Sequence, residues 1–373
     1  MTMISRLWHA FWRPLDIWLL LVVLALLTVG QITLYSAGDR SMIKVEAQLF
    51  NFAVAAVAMW LVASQPLPRL MSLAPPLYAL GMILLLGVFF FGETSKGATR
   101  WLNLHFIRIQ PSEMMKIALP MMLAWYMHRH EAALRVKDFV VAGVLLALPV
   151  ALVLKQPDLG TAILISGSGC FVLFLAGLSW RLIIPVVLLL AGGIWYVMDA
   201  PRCEQVFHKY QCTRVQILID PLSDPLGKGY HTLQGTIAIG SGGVTGKGWL
   251  QGTQTHLDYI PERTTDFIFA VYAEEFGLVG GCVLLVLYTL LLLRGLAITL
   301  HATTLFGRLL GGAVTMTLFT YAFVNMGMVS GILPVVGVPL PLMSYGGTSL
   351  VTLLTGMGLL MSIHRHKSLI KFS

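Results

Sequence analysis

The polar stretch Pro261-E-R-T-T-Asp266 runs directly into an apolar one at Phe267. Asp266 therefore stands on a boundary, at the start of a helix whose macrodipole favours an anion. A carboxylate placed there could act as a general base or could cap the helix, because Asp is a favoured N-cap. The spacing leaves both readings open. Ala270, Ala273 and Gly277 share the helical face of Asp266. Such a stripe of small residues suits close packing or leaves a groove beneath the acid. Glu274 and Glu275 lie about 80° and 180° away from that face at 100° per residue. They also lie roughly 12–13 Å further along the axis, and so deeper. A buried charge costs about 2.5–3.5 kcal/mol even on a lenient insertion scale, so these two are expected to pair with polar groups of a bundle, in structural or coupling roles.

Three more stretches carry chemistry. In Arg108-I-Q-P-S-E-M-M-Lys116, Pro111 suits a first helical turn, and Glu113 and Lys116 share a face at i, i+3. They are either a self-neutralising ion pair or ligands, Lys for phosphate and Glu for a sugar hydroxyl or a metal. Arg100 and Arg108 flank them. In Lys155-Q-P-D-L-G-Thr161, turn chemistry explains the Pro, Asp and Gly, while Lys155 adds charge to the same face. In Gly331-I-L-P-V-V-G-V-P-L-P-L-M-S-Y-G-G-T-Ser349, prolines and glycines break a helix at membrane depth. Such backbone must be buried in protein or line a cavity, so the stretch is read either as a re-entrant wall with Ser344 and Ser349 as hydrogen-bond donors or as kinked packing. The glycine-dense run Ser241-G-G-V-T-G-K-G-W-L-Q-G-T-Gln254 offers a nest of amides for anionic oxygens or a compact structural loop. It does not fit the phosphate-loop spacing, since Gly248 follows Lys247.

The elements that must hold these residues are membrane helices. The chain has 373 residues, 57% hydrophobic and 11% charged, against roughly 25% charged in soluble domains. At about 20 apolar residues per crossing, about ten spans fit: 15–36, 45–65, 75–92, 111–128, 138–155, 160–178, 181–198, 266–293, 309–330 and 343–363. One polytopic membrane domain over 1–373 is expected, with a large loop at 199–265 in which 231–240 forms a short surface helix. The N-terminal apolar run is too long for a cleaved signal peptide. An even span count puts both termini on one side, and the arginines and lysines of the tails and short loops make that side cytoplasmic. The net charge of +8 is scattered rather than gathered into a basic arm, which argues against nucleic acid. Cys170 and Cys282 are read as packing residues. Cys203 and Cys212 share the long loop, either joined or as free thiols. No His/Cys cluster or D-x-D motif suggests a metal centre.

Four polar constellations on one outer face point to a site for a substrate that is part lipid and part polar anion. They also resemble one family closely. Gly97-A-T-R-W-Leu102, Gln110-P-S-E-M-M-Lys116, Lys155-Q-P-D-L-Gly160, Gly246-K-G-W-L-Q-G-T-Gln254, Pro261-E-R-T-T-D-F-I-Phe269, Ala273-E-E-F-Gly277 and Pro339-L-P-L-M-S-Y-G-G-T-Ser349 occur in the order and spacing of the SEDS family (shape, elongation, division and sporulation). The G-T-Q and P-E-R versions are similar to its elongation branch. The resemblance implies an all-α fold of ten membrane helices related to the GT-C-like enzymes, with its large extracytoplasmic loop between helices 7 and 8. It implies a glycosyltransferase that polymerises lipid II on the outer face of the bacterial inner membrane, together with a class B penicillin-binding protein and other elongation-complex proteins. It places Asp266 at the catalytic aspartate and Glu113 and Lys116 at the cavity pair. On that reading Asp266 is the base, and Lys116, Arg108, Arg100, Lys155 and Arg214 are candidates for the diphosphates. A divalent ion (Mg or Mn), if used, would be held mainly by diphosphate. The alternative activity is lipid II flipping, which needs a polar path to the cytoplasmic side.

Overall fold

The computed structural model describes residues 12–95, 98–103, 108–197, 212, 229–257 and 259–366. Helices α1 (Ile17–Ala37), α2 (Met42–Ser64) and α3 (Leu67–Phe91) are followed by an antiparallel sheet of β1 (Glu93–Ser95), β2 (Ala98–Asn103) and β3 (Arg108–Ile109). Then come α4 (Pro111–Arg129), α5 (Val136–Lys155), α6 (Leu159–Leu175) and α7 (Trp180–Val197). The long loop contributes α8 (Gly229–Ser241) and the single turn α9 (Thr253–His256). The chain closes with α10 (Ile268–Leu300), α11 (Leu305–Val329) and α12 (Gly347–Arg365). Among the described residues, 7 helices (α1, α2, α3, α5, α10, α11 and α12) are long and apolar enough to cross a membrane. The expected spans at 111–128, 160–178 and 181–198 fold as α4, α6 and α7.

Several boundaries move for physical reasons. The third span starts at Leu67 rather than at 75, because Pro68 sits in the first turn, where its missing N–H is harmless. Pro75 and Pro76 then lie inside the helix, which a membrane bundle tolerates. The last helix starts at 347 rather than 343, because the backbone just before it is spent on the 264–266 loop. Cys170 and Cys282 are exposed free thiols rather than core residues, whereas Cys212 is disulfide-bonded. Cys203 lies outside the described residues.

The largest correction concerns α10. Its helical hydrogen bonding is interrupted at Gly277, which has φ 61° and ψ −159°. Beyond the break, α10 runs antiparallel to α1, and the two are pinned at both ends. At one end, Ser36 Oγ donates to Glu275 Oε1. At the other, Arg294 grips Asp16 with Nε at 3.0 Å and Nη2 at 2.5 Å, and His364 Nε2 stands 3.3 Å from the same carboxylate. The run from Glu275 to Arg294 is roughly 28 Å at 1.5 Å per residue, a full crossing. Glu275 therefore marks the end of the span rather than a point deep within it. The break at Gly277 separates Ile268–Phe276 from the rest of α10.

A broken helix exposes carbonyls and amides that lipid cannot satisfy. The glycine-dense loop takes them. Lys247 N–H donates to Glu274 O at 3.1 Å and Gly248 N–H to Glu275 O at 3.0 Å, while Leu278 and Val279 N–H reach Gly243 O and Val244 O at 3.0 Å. The two backbones run so close that a Cβ on Gly246 would fall 2.0 Å from Glu275 O, and Gly246 itself has φ +80°. Only glycine holds that conformation without cost and fits that gap.

Two predictions follow from these joints. Gly246→Ala carries about 1–2 kcal/mol of left-handed strain plus displacement of the loop. It should lower Tm in detergent well beyond Gly240→Ala, whose Cβ meets nothing within 4 Å; equal Tm values would refute the splice. The Asp16 carboxyl is pushed up by burial, but the Arg294 guanidinium and the Leu19 N–H outweigh this and hold it below its ordinary value. A depressed carboxylate stabilises the fold above its unfolded pKa, and that contribution is lost as pH falls through the folded one. Asp16→Asn should therefore be less stable at neutral pH and show a flatter Tm decline on acidification below about pH 4.

Candidate functional site

Asp266 does not cap α10. The N-cap is Phe267, with no side-chain cap bond, so the capping reading of the acid falls away. What fixes Asp266 is its backbone. Tyr345 N–H donates to Thr264 O at 2.9 Å, Ser344 Oγ to Thr265 O at 2.6 Å, and Asn325 Nδ2 to Asp266 O at 2.8 Å. Three successive carbonyls are thus held from outside the loop. Asn325 Nδ2 also donates to Val338 O at 2.7 Å, so one buried amide joins the loop to the stretch 331–346. The Asp266 side chain is half-buried, and its Oδ2 lies 3.4 Å from where a Cβ on Gly337 would stand. Arg263, three residues earlier, ties the loop to Asp39 Oδ2 at 2.5 Å and to Thr255 O.

Lys116 and Glu113 meet as their spacing predicts, with Nζ to Oε1 at 2.5 Å. Lys116 is also committed to Tyr321 Oη at 2.6 Å. It is 6% exposed, so its charge is spent inside the protein rather than offered to a phosphate. Glu113 keeps its second oxygen, Oε2, without a hydrogen-bond partner. Tyr321 and Asn325 are one turn apart on α11 and face the same way. Hence α11 holds the Glu113–Lys116 pair with one residue and the Asp266 loop with the next. Sequence reasoning missed both. The available signal was two polar side chains at i, i+4 in a membrane helix, where polar groups are rare and usually functional.

The other expected site residues divide. Arg108 reaches the surface, pairs with Glu93 Oε2 at 3.0 Å, and lines a groove of about 540 Å³ with Asn51, Gln110, Glu113, Gly347 and Thr348. Ser349 lies in the first turn of α12, half-buried. Arg100 Nε stands 3.3 Å from Asp158 Oδ2, and Asp158 caps α6 by accepting from Thr161 N–H at 3.2 Å. Lys155 is exposed, with Nζ 5.9 Å from the Phe89 ring, and is not among the residues lining the groove. Ser344 is buried and internally committed, accepting from Leu340 N–H at 2.8 Å while donating to Thr265 O, so it is a clamp and not a ligand donor. Arg214 lies outside the described residues.

The expected amide nest exists, but it holds the protein's own anion. Glu274 accepts from Lys247 Nζ at 2.7 Å, Gln254 N–H at 2.9 Å, Thr255 N–H at 3.2 Å and Thr255 Oγ1 at 2.9 Å. The two glutamates do face different partners, as their helical angles require.

A model of the cell cycle protein family FTSW_RODA_SPOVE matches residues 9–369. The chain is 50% identical over 369 residues to the peptidoglycan glycosyltransferase MrdB of Escherichia coli (strain K12), covering 97% of each. It is 32% identical over 421 residues to the peptidoglycan glycosyltransferase RodA of Treponema pallidum, covering 94% of this chain and 97% of that one. Among solved structures, a chain of a peptidoglycan synthase complex that coordinates polymerization and crosslinking superposes with TM-score 0.80 at 34% identity, covering 95% and 98% of the two chains. The rod shape determining protein RodA of Thermus thermophilus superposes with TM-score 0.70 at 30% identity, covering 94% and 97%.

The buried pair makes a stability prediction. Lys116→Met strands the Glu113 carboxylate and should cost about 3–5 kcal/mol in denaturation, whereas Glu113→Gln combined with Lys116→Met should recover much of that loss. Additive losses in the double-mutant cycle would mean that the two side chains do not depend on each other.

Proposed function

Since the chain belongs to the FtsW/RodA/SpoVE family and is a peptidoglycan glycosyltransferase, we propose that it polymerises lipid II by inverting transfer, with Asp266 as the general base. The supporting observation is the clamp on the carbonyls of Thr264, Thr265 and Asp266, which fixes one carboxylate at the edge of the bundle. Lipid II is a disaccharide-peptide on a polyprenyl diphosphate. Asp266 takes the proton of the acceptor 4-hydroxyl as that oxygen attacks the anomeric carbon of the donor. The bond from that carbon to the diphosphate oxygen breaks, and its electron pair leaves with the diphosphate. An α-linked donor thus gives a β-linked strand. A base so positioned contributes about 10²–10⁴-fold; stabilising the charge that develops on the leaving group supplies a further electrostatic share.

Glu113, with an oxygen to spare, suits a sugar hydroxyl, and Arg108 at the groove suits a phosphate. Lys116 acts by holding Glu113. No group of three His, Cys, Asp or Glu among the described residues could hold a metal. Mg or Mn would therefore enter with the diphosphate, and the transfer is written without a metal step. The protein is a multi-pass membrane protein. We place it in the inner membrane with both termini cytoplasmic and Asp266 on the periplasmic side, working with a class B penicillin-binding protein that cross-links the strands. The Asp16–Arg294–His364 cluster ties α1, α10 and α12 together at the opposite end of the α1–α10 crossing from Ser36 and Glu275.

The test is polymer formation by the purified chain with a transpeptidase-only partner, read on a gel. Asp266→Ala and Asp266→Asn should each lose at least about 100-fold in rate, and the acid limb of the wild-type pH–rate profile should vanish from any residual activity. Wild-type rates in either variant would remove Asp266 as the base. Transfer of lipid II across vesicles without polymer would favour flipping.

A further inference from the structure

The stretch 340–346, between α11 and α12, holds no helix or strand, so its backbone groups need partners found one by one. Several find them close by. Met343 and Ser344 N–H both donate to Leu340 O, at 3.3 and 3.1 Å, and Leu340 N–H donates to Ser344 Oγ at 2.8 Å. Tyr288 Oη, from α10, donates to Pro341 O at 2.6 Å. Tyr345 N–H and Ser344 Oγ serve the carbonyls of Thr264 and Thr265, just before Asp266. Ser344 O and Gly346 N–H flank Tyr345, and no backbone group among the described residues pairs with either. One side chain takes both. Gln48 of α2 donates from Nε2 to Ser344 O at 3.2 Å, and its Oε1 accepts from Gly346 N–H at 3.2 Å. Asn51 Nδ2 donates to the same Oε1 at 3.3 Å.

Gln48 is the one polar side chain among the buried residues of α2, beside Ala55, Met59 and Ala63. A polar group in a membrane helix is rare and turns to the bundle interior. Gln48 is 1% exposed and is not among the residues lining the groove of Arg108, so it has no surface to offer a substrate. Its chemistry is specific all the same. Ser344 O can only accept and Gly346 N–H can only donate, so the amide fits in one orientation. The stretch it grips has little room elsewhere, since a Cβ on Gly30 of α1 would stand 2.8 Å from Met343 Cα. We infer that Gln48 is a positioning residue for Asp266. By holding the peptide groups on both sides of Tyr345, it sets where Tyr345 N–H and Ser344 Oγ stand. Through them it sets where the Thr264–Asp266 loop carries its carboxylate. This rests on the reading of Asp266 as the base and adds a residue of another helix on which that base depends. A general base works only within hydrogen-bond reach of the proton it takes, and a displacement of about 1 Å costs about 10²-fold in rate.

The test uses what a carboxyl group can and cannot imitate. Gln48→Met keeps the length of the side chain and removes both hydrogen bonds. Polymerisation by the full-length chain with its transpeptidase-only partner is assayed well below the lowest Tm of the set. There kcat should fall at least about tenfold, with KM for lipid II within about twofold of wild type. Gln48→Glu is read against pH. A carboxylic acid has the amide's pattern, with one O–H to donate and one C=O to accept, whereas a carboxylate only accepts and meets Ser344 O with like charge. Its kcat should exceed that of Gln48→Met, and its ratio to wild type should rise as pH falls. The acid limb of Asp266 is common to both enzymes and cancels in that ratio. Equal kcat in Gln48→Glu and Gln48→Met at every pH would make position 48 a matter of packing and overturn the inference, as would a loss carried by KM. Should Gln48→Met fail to fold, Gln48→Glu at the two ends of the pH range makes the same comparison. Asp16→Asn, weakened at the far end of the α1–α10 crossing, controls for stability, and a fall in kcat equal to that of Gln48→Met would also overturn it. Because Gln48 acts through Asp266, Gln48→Met added to Asp266→Ala should change the residual rate by less than about twofold. A further loss as large as in the wild-type background would mean that Gln48 acts elsewhere. If Gln48→Met polymerises like wild type while Asp266→Ala does not, the positioning role fails and the function stands. If Asp266→Ala polymerises like wild type, the base reading fails and takes this inference with it.

Discussion

Three carbonyls in a row, those of Thr264, Thr265 and Asp266, cannot be left bare at the edge of a bilayer, and the segment carrying them is not helical. Everything near the site answers that constraint. The chain could have wound the loop into helix, but the first turn would then bury Asp266 in its own cap. Instead, Asn325 reaches in from α11, and Ser344 and Tyr345 reach in from the stretch before α12. An unsatisfied buried carbonyl costs about 1–3 kcal/mol, so the clamp stabilises the loop strongly. The broken stretch 331–346 is thus explained. Its irregularity supplies the loop with donors that a continuous helix would have spent on itself.

The same logic operates again at Gly277. Ending the crossing there frees carbonyls at Glu274 and Glu275, and the loop 243–248 pairs with them. The Glu274 carboxylate is then wrapped by Lys247 and by amides of the following turn. Two breaks and two splices flank the short segment Ile268–Phe276, so the loop bearing Asp266 is fixed from both sides. Rigid support of this kind suits a base that must wait for a sugar to arrive rather than reorganise around it.

The composition, the approximate positions of most helices, the Glu113–Lys116 contact and the standing of Asp266 were legible in the sequence because they depend on local spacing or on hydropathy. What was not legible depends on which backbone groups lack partners, and that is decided by tertiary contact. The glycine run Ser241–Gln254 reads equally well as an anion nest or a compact loop. Only its contact with Glu274 O and Glu275 O shows that its amides are spent within the protein. Ser344 reads as a donor to a ligand until Thr265 O is found in front of it. Gly277 stands in a stripe of small residues and gives no sign by itself that the helix breaks there. Tyr321 and Asn325 were visible as polar residues in an apolar helix, but their partners come from three other segments of the chain.

An accounting of the cations carries this further. Lys116 is held by Glu113 and Tyr321, Lys247 by Glu274, Arg294 by Asp16, Arg263 by Asp39, and Arg100 lies against Asp158. Each of these side chains neutralises the protein's own acid, as buried charge requires. Among the described residues, the expected diphosphate ligands are thereby reduced to an exposed Arg108, itself paired with Glu93, and a Lys155 that does not line the groove. A site for a doubly anionic leaving group still needs positive potential, and it needs it without another buried formal charge to desolvate.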